Sequence, residues 1–149
     1  MRTITPLATL LLMILGAPGF AQQGAAALPR TASPEGAAAY IIAPENGARV
    51  TSPVTVRFGL RGMGVAPAGV TNANTGHHHL LIDVADLPPD NLPLPATDQV
   101  RHFGGGQTEA VIELPPGQHT LQLVLGDALH IPHNPPVRSD KITITVVAE

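Results

Sequence analysis

A series of short runs in which apolar and polar residues alternate, each ended by Gly, Pro or Asn, occupies the chain from Tyr40 to Val147, and no sustained helical period competes with them. Tyr40-Ile41-Ile42 stops at the turn Pro44-Glu45-Asn46-Gly47. Val54 to Leu60 sets Val54, Val56 and Phe58 against Thr55, Arg57 and Gly59. His77 to Val84 follows, then Thr108 to Leu114 with Ala110, Ile112 and Leu114 on one face. Gln118 to Leu125 places Leu121, Leu123 and Leu125 together, and Lys141 to Val147 does the same for Ile142, Ile144 and Val146. Successive strand side chains point to opposite faces, so this alternation is that of half-buried antiparallel strands. The pattern predicts an all-β, immunoglobulin-like antiparallel β-sandwich of about seven strands, with one short strand between Leu87 and Gln99. Two longer connections, Arg61–Gly76 and Ala85–Gln107, are where function is expected.

The first residues read as a secretory signal peptide: Arg2, an apolar stretch from Leu7 to Leu15, and the small-residue site Gly19-Phe20-Ala21. The expected organisation is a signal peptide over residues 1–21, a flexible Ala/Gly/Pro/Ser-rich linker over 22–38 and a β-sandwich domain over 39–149. Export places the protein in the periplasm or medium, with no stable membrane insertion once the leader is removed. The chain has no Cys, so the domain holds without disulfides and any metal site must use imidazole, carboxylate, thioether or backbone. The formal charge is −3 and Lys141 is the only lysine, which excludes phosphate-backbone binding to nucleic acid. Tyr40, Phe58 and Phe103 are the only aromatics after Ala21, too few for base or sugar stacking.

The remaining chemistry is histidine. Seven lie between His77 and His133. In the expected sandwich the triplet His77-His78-His79 enters one strand, His130 and His133 lie in the loop after a neighbouring strand, and His102 precedes the strand beginning at Thr108. His77, His79, His130 and His133 are expected at one end, and His102 joins them if the short strand between Leu87 and Gln99 exists. Period two puts His77 and His79 on one face with Leu81 and Asp83, and His78 on the core face with Leu80 and Ile82. His119, after Pro115-Pro116-Gly117 at the opposite end, takes the place of a corner residue that bonds nearby backbone.

These placements support a transition-metal site, Cu(II) or Zn(II), ligated by His77, His79, His130 and His133 with His102 in reserve, and Asp127 as ligand or support. Binding is expected to weaken as pH falls through the ordinary imidazole range. The alternative is a non-catalytic cell-envelope interaction module, with a protein partner, in which the histidines form a structural hydrogen-bond network. An enzyme is less favoured: it needs an open coordination position and a nearby acid or base, for which Asp83 or Asp127 are the candidates. Gly104-Gly105-Gly106 lacks the Lys-Ser/Thr of a phosphate loop, and Met63 reads as a hydrophobic plug.

Gly76-His-His-His-Leu-Leu-Ile-Asp83, Gly106-Gln-Thr-Glu109, Pro116-Gly-Gln-His-Thr-Leu-Gln-Leu-Val-Leu-Gly-Asp127 and His130-Ile-Pro-His-Asn-Pro-Pro136 together resemble a bacterial exported domain family catalogued as a domain of unknown function. The similarity runs from about Gly59 to Val146. It implies no activity, but it implies that the histidine segments form one unit.

Overall fold

A computed structural model describes residues 28–148; the expected signal peptide and the first part of the expected linker lie outside the described residues. The chain forms β1 (Ala38–Ala43), β2 (Arg49–Thr51), β3 (Val54–Arg61), β4 (Gly64–Val65), β5 (Thr75–Ile82), β6 (Val100–His102), β7 (Glu109–Ile112), β8 (Gly117–Gly126) and β9 (Ile142–Val147). A three-stranded sheet, β1-β3-β7, packs on a larger sheet ordered β2-β9-β8-β5-β4, with β6 also paired to β5. The result is a β-sandwich. Pairings are antiparallel except for β2 with β9 and β4 with β5.

The alternating residues build the layer between the sheets. Val54, Val56 and Phe58 of β3 meet Leu80 and Ile82 of β5, Leu121, Leu123 and Leu125 of β8, and Ile144 and Val146 of β9. Each fully buried Leu or Ile contributes roughly 1.5–3 kcal/mol relative to exposure. Met63 packs against the edge of this layer, as a plug. His78 lies on the same inner face, its ring centroid 5.3 Å from that of Phe58.

The large sheet is also covered on its outer face, by the connection from Asp83 to Gln99. Leu81, Val124, Val100 and Leu94 form a second small core there, with Val84 and Leu87 packed against it. β5 and β8 are therefore buried on both faces at their centre.

The short strand expected between Leu87 and Gln99 does not form. That segment carries Pro88, Pro89, Pro93 and Pro95, which have no N–H to give to a ladder. A strand forms instead directly after this segment: β6, at the β5 edge, where His79 pairs with His102, Leu80 with Arg101 and Leu81 with Val100. Residues 30–33, inside the expected linker, are tied to the loop after β8. Ala32 bridges Asn134, the Ser33 N–H donates to the Asn134 carbonyl at 3.1 Å, and the Asn134 N–H donates to Thr31 at 2.9 Å.

His119 occupies the corner position. Its Nδ1 lies 2.7 Å from Asp83 Oδ2 and its Nε2 lies 2.8 Å from the Pro115 carbonyl. Two acceptors demand two ring protons, the imidazolium. Burial works against that charge, but the bonds to Asp83 and Pro115 outweigh it and raise the pKa above the ordinary histidine value. Stability from this raised group is fully present below the unfolded pKa near 6.5 and is lost as pH rises through the folded one. His119→Ala is expected to cost about 1.5–3 kcal/mol at pH 6 and less at pH 8.5, read from urea unfolding at both pH values. Equal costs at the two pH values would exclude the charged form.

Candidate metal centre

The site lies on the outer face of the large sheet, where β5, β6 and the loop after β8 meet. β5 supplies His77 and His79 by period two. Pairing of β5 with β8 sets His77 opposite Gly126 and His79 opposite Val124. Pairing of β5 with β6 brings His102 opposite His79. The tight turn after β8 then returns His130 over the same face. Ring centroids are 4.8 Å apart for His77 and His79, 5.0 Å for His77 and His102, and 4.9 Å for His77 and His130. His130 is 4.7 Å from His102 and 5.9 Å from His79, and His79 is 5.1 Å from His102.

One ring nitrogen from each of His77, His79 and His102 lies within 4.8 Å of the others, close enough to hold a metal ion. A tetrahedral imidazole site with bonds of about 2.0–2.1 Å needs nitrogens roughly 3.3 Å apart, so these three rings must draw together on an ion, and His130, outside this group of three, must turn towards it. His77 and His79 are fully buried, His130 is half-buried and His102 is exposed. Among the described residues, neither ring nitrogen of His77 or His79 has a hydrogen-bond partner. Neutral imidazole carries one donor and one acceptor, and leaving such groups buried and unpaired costs free energy.

Two glycines make room for the rings. A Cβ on Gly126 would stand 2.7 Å from His79 Cε1 and 3.2 Å from its Nδ1, and a Cβ on Gly104 would collide with the His102 ring.

Electrostatics keep the buried rings ready for an ion. Burial first, then the neighbouring His130 and His102, lower the His77 pKa to about 4, with Asp127 opposing. Burial, followed by His77, His102 and His130, lowers His79 to about 3. His102 is lowered as well, by burial and by His130. The expectation that ligands protonate through the ordinary imidazole range is corrected at His77 and His79: both remain neutral well below pH 6, because their charged forms are desolvated and crowded by like charge.

His133 does not join the four rings. It is fully buried, with Nε2 3.2 Å from the Thr75 carbonyl and Nδ1 3.5 Å from that of Leu125. Period and proximity in sequence brought it into the expected set; the turn at His130 sends it to the side. His78 is on the inner face, where burial lowers its pKa to about 4.

A model of the family described as "Domain of unknown function (DUF4399)" matches residues 56–147, more than half of the chain. The chain belongs to this family. Comparison with curated proteins and with solved structures found no match. All seven histidines fall inside the part of the chain that the DUF4399 model covers.

In this DUF4399 domain Asp127 supports the site and is not itself free to ligate. Its Oδ1 accepts the N–H groups of Leu129 at 2.9 Å and Ile131 at 3.0 Å, and its Oδ2 accepts the Thr31 hydroxyl at 2.7 Å. This Asx-type turn holds His130 at φ 67°, a left-handed conformation uncommon outside glycine. Sequence reasoning missed Thr31, Gly104 and Gly126. An Asp three residues before His130 was a readable turn signal; the contact from Thr31, nearly a hundred residues away, was not.

Proposed function

We propose that this domain is an exported binder of one transition-metal ion, Cu(II) or Zn(II), held by His77, His79, His102 and His130. The observation that carries the reading is the pair of fully buried imidazoles, His77 and His79, with no hydrogen-bond partner among the described residues and two more imidazoles against them. His78 also lacks partners, but its ring faces Phe58 on the inner side, so it is the gathering of four imidazoles that sets His77 and His79 apart; His119 and His133 are the internal contrast. Their rings bond carbonyl or carboxylate oxygens, as histidines in a structural network must.

Copper(II) heads the affinity order for nitrogen sites, and four neutral imidazoles also suit tetrahedral zinc. The exposed position of His102 gives an ion a route in and out, which suits uptake and hand-over more than permanent burial. The carboxylates considered for acid–base chemistry are engaged. Asp127 accepts from three donors, and Asp83 holds His119 and the Thr120 N–H at the far end of β5. Metal binding without catalysis is therefore the reading we adopt. The periplasmic or secreted location rests on the leader pattern of residues 1–21. No helix among the described residues is long and apolar enough to cross a membrane.

Titration of metal-free protein with Cu(II) and with Zn(II) by calorimetry, with metal analysis after dialysis, tests the reading. One retained ion per chain is expected, and at a hundredfold excess over Kd unfolding becomes harder by about 2.7 kcal/mol. Absence of stoichiometric binding by both ions defeats it.

A further inference from the structure

The N-terminal segment before β1 is fastened to the loop that carries His130 by a concentrated set of bonds. Arg30 Nε donates to the Pro132 carbonyl at 3.0 Å, and the Arg30 guanidinium also reaches the His133 carbonyl. Thr31 donates its hydroxyl to Asp127 Oδ2, and the Ser33 hydroxyl donates to the Pro135 carbonyl at 2.7 Å. Asp90, whose two carboxylate oxygens both accept from Arg138 Nη2 at 2.9 Å, stands 4.0 Å from Arg30. These bonds converge on one loop, and one of them, from Thr31, ends on the carboxylate that folds the turn at His130.

We propose that Arg30–Ser33 is a positioning strap for the metal loop, and that Thr31, acting through Asp127, fixes His130 where it can ligate the ion. The proposal rests on the metal-binding reading above. The path is short. Thr31 holds one carboxylate oxygen, so the other stays aimed at the N–H groups of Leu129 and Ile131. The His130 N–H closes the turn onto the Asp127 carbonyl at 2.9 Å, and the His130 carbonyl accepts the Leu94 N–H at 2.8 Å. A carboxylate released from Thr31 can rotate, and the left-handed residue at the tip of the turn is the first to relax. His77, His79 and His102 stand on paired strands and do not depend on this contact. Thr31 is a positioning residue: it touches neither the rings nor the ion.

The test uses the full-length protein and Cu(II), with affinity measured by competition and coordination read by electron paramagnetic resonance. Thr31→Val keeps the shape and removes the donor. It is expected to bind Cu(II) about 10–100-fold more weakly, the usual effect of losing a group that orients a ligand, with a spectrum shifted towards that of His130→Ala. Thr31→Ser is expected to restore both readings. In the His130→Ala background, Thr31→Val is expected to add nothing, because the two substitutions remove the same contribution. Native affinity and spectrum in Thr31→Val, in a native chain that does hold copper, overturn the strap alone. So does a Thr31→Val effect that persists undiminished without His130. A native chain that holds no copper defeats the metal reading and the strap with it.

Discussion

A His77→Leu/His79→Leu variant is expected to lose copper and zinc and yet, without metal, to be more stable than the native chain. Both rings are fully buried and their nitrogens lack partners among the described residues. Each unpaired buried polar group costs about 1–3 kcal/mol. Leucine fills a similar volume without polar atoms, and the outer face already carries Leu81 and Val124 beside these positions. A net gain of about 1–3 kcal/mol follows, a rise of several degrees in Tm for a domain of this size. The metal side has the opposite sign. If a four-ligand site holds its ion by roughly 10–16 kcal/mol, each imidazole carries about 3 kcal/mol, and losing two weakens binding about ten-thousand-fold. Thermal unfolding of metal-free proteins and metal titration read the two effects separately. A variant that binds an ion stoichiometrically, or whose metal-free form is several kcal/mol less stable, would mean that the two rings serve the fold. His133→Leu is the control: its Nε2 donates to the Thr75 carbonyl at 3.2 Å, so its loss costs stability.

The strands legible in the sequence were those in which one face meets the core. Val54-Val56-Phe58, Leu121-Leu123-Leu125 and Ile144-Val146 alternate because only one side of each segment enters the layer between the sheets. The same period split the triplet, with His78 inward and His77 and His79 outward. β2, β4 and β6 are two or three residues long, too short for a period, and exist through pairing with β9 and β5. The outer core was invisible for a related reason: Leu94 and Val100 come from a Pro-rich connection with no periodicity, and only the fold brings them onto Leu81. Convergence of His130 on the strand pair could be reasoned from the sandwich topology; that of His102 was reasoned from a strand between Leu87 and Gln99 that does not form, and comes instead from the pairing of β6 with β5. The exclusion of His133 could not, because it depends on the left-handed turn at His130 and on the Asp127 carboxylate that makes it. The strap was hidden further, since an Ala/Gly/Pro/Ser-rich stretch carries no sign that Arg30, Thr31 and Ser33 will meet a loop so distant in the chain.

The metal-free protein is expected to lose stability steeply between pH 6.5 and about 4, above the range where its carboxylates protonate. In the unfolded chain His77, His78 and His79 bind protons near the ordinary value of 6.5; in the folded chain they resist until about 4, 4 and 3. Within that window the unfolded state binds protons that the folded state does not, so stability rises with pH and falls on acidification. Each such group contributes about 1.4 kcal/mol per pH unit, and three together up to about 4 kcal/mol per unit. The raised His119 acts in the other direction and at higher pH, where its contribution is lost on titration. The two opposing trends place the stability maximum of the metal-free chain near pH 6.5–7. Urea unfolding at half-unit intervals from pH 8 to 4.5 measures the slope. In His77→Leu/His79→Leu the lowered His78 and His102 remain, and the acid slope is expected to fall to about half or less. A flat native profile over that range, or an equal slope in the variant, would show that the buried triplet does not govern the acid limit. A bound ion requires neutral imidazole, so saturating Cu(II) or Zn(II) is expected to move the acid-unfolding midpoint of the native chain to lower pH and to leave the double-leucine chain where it was.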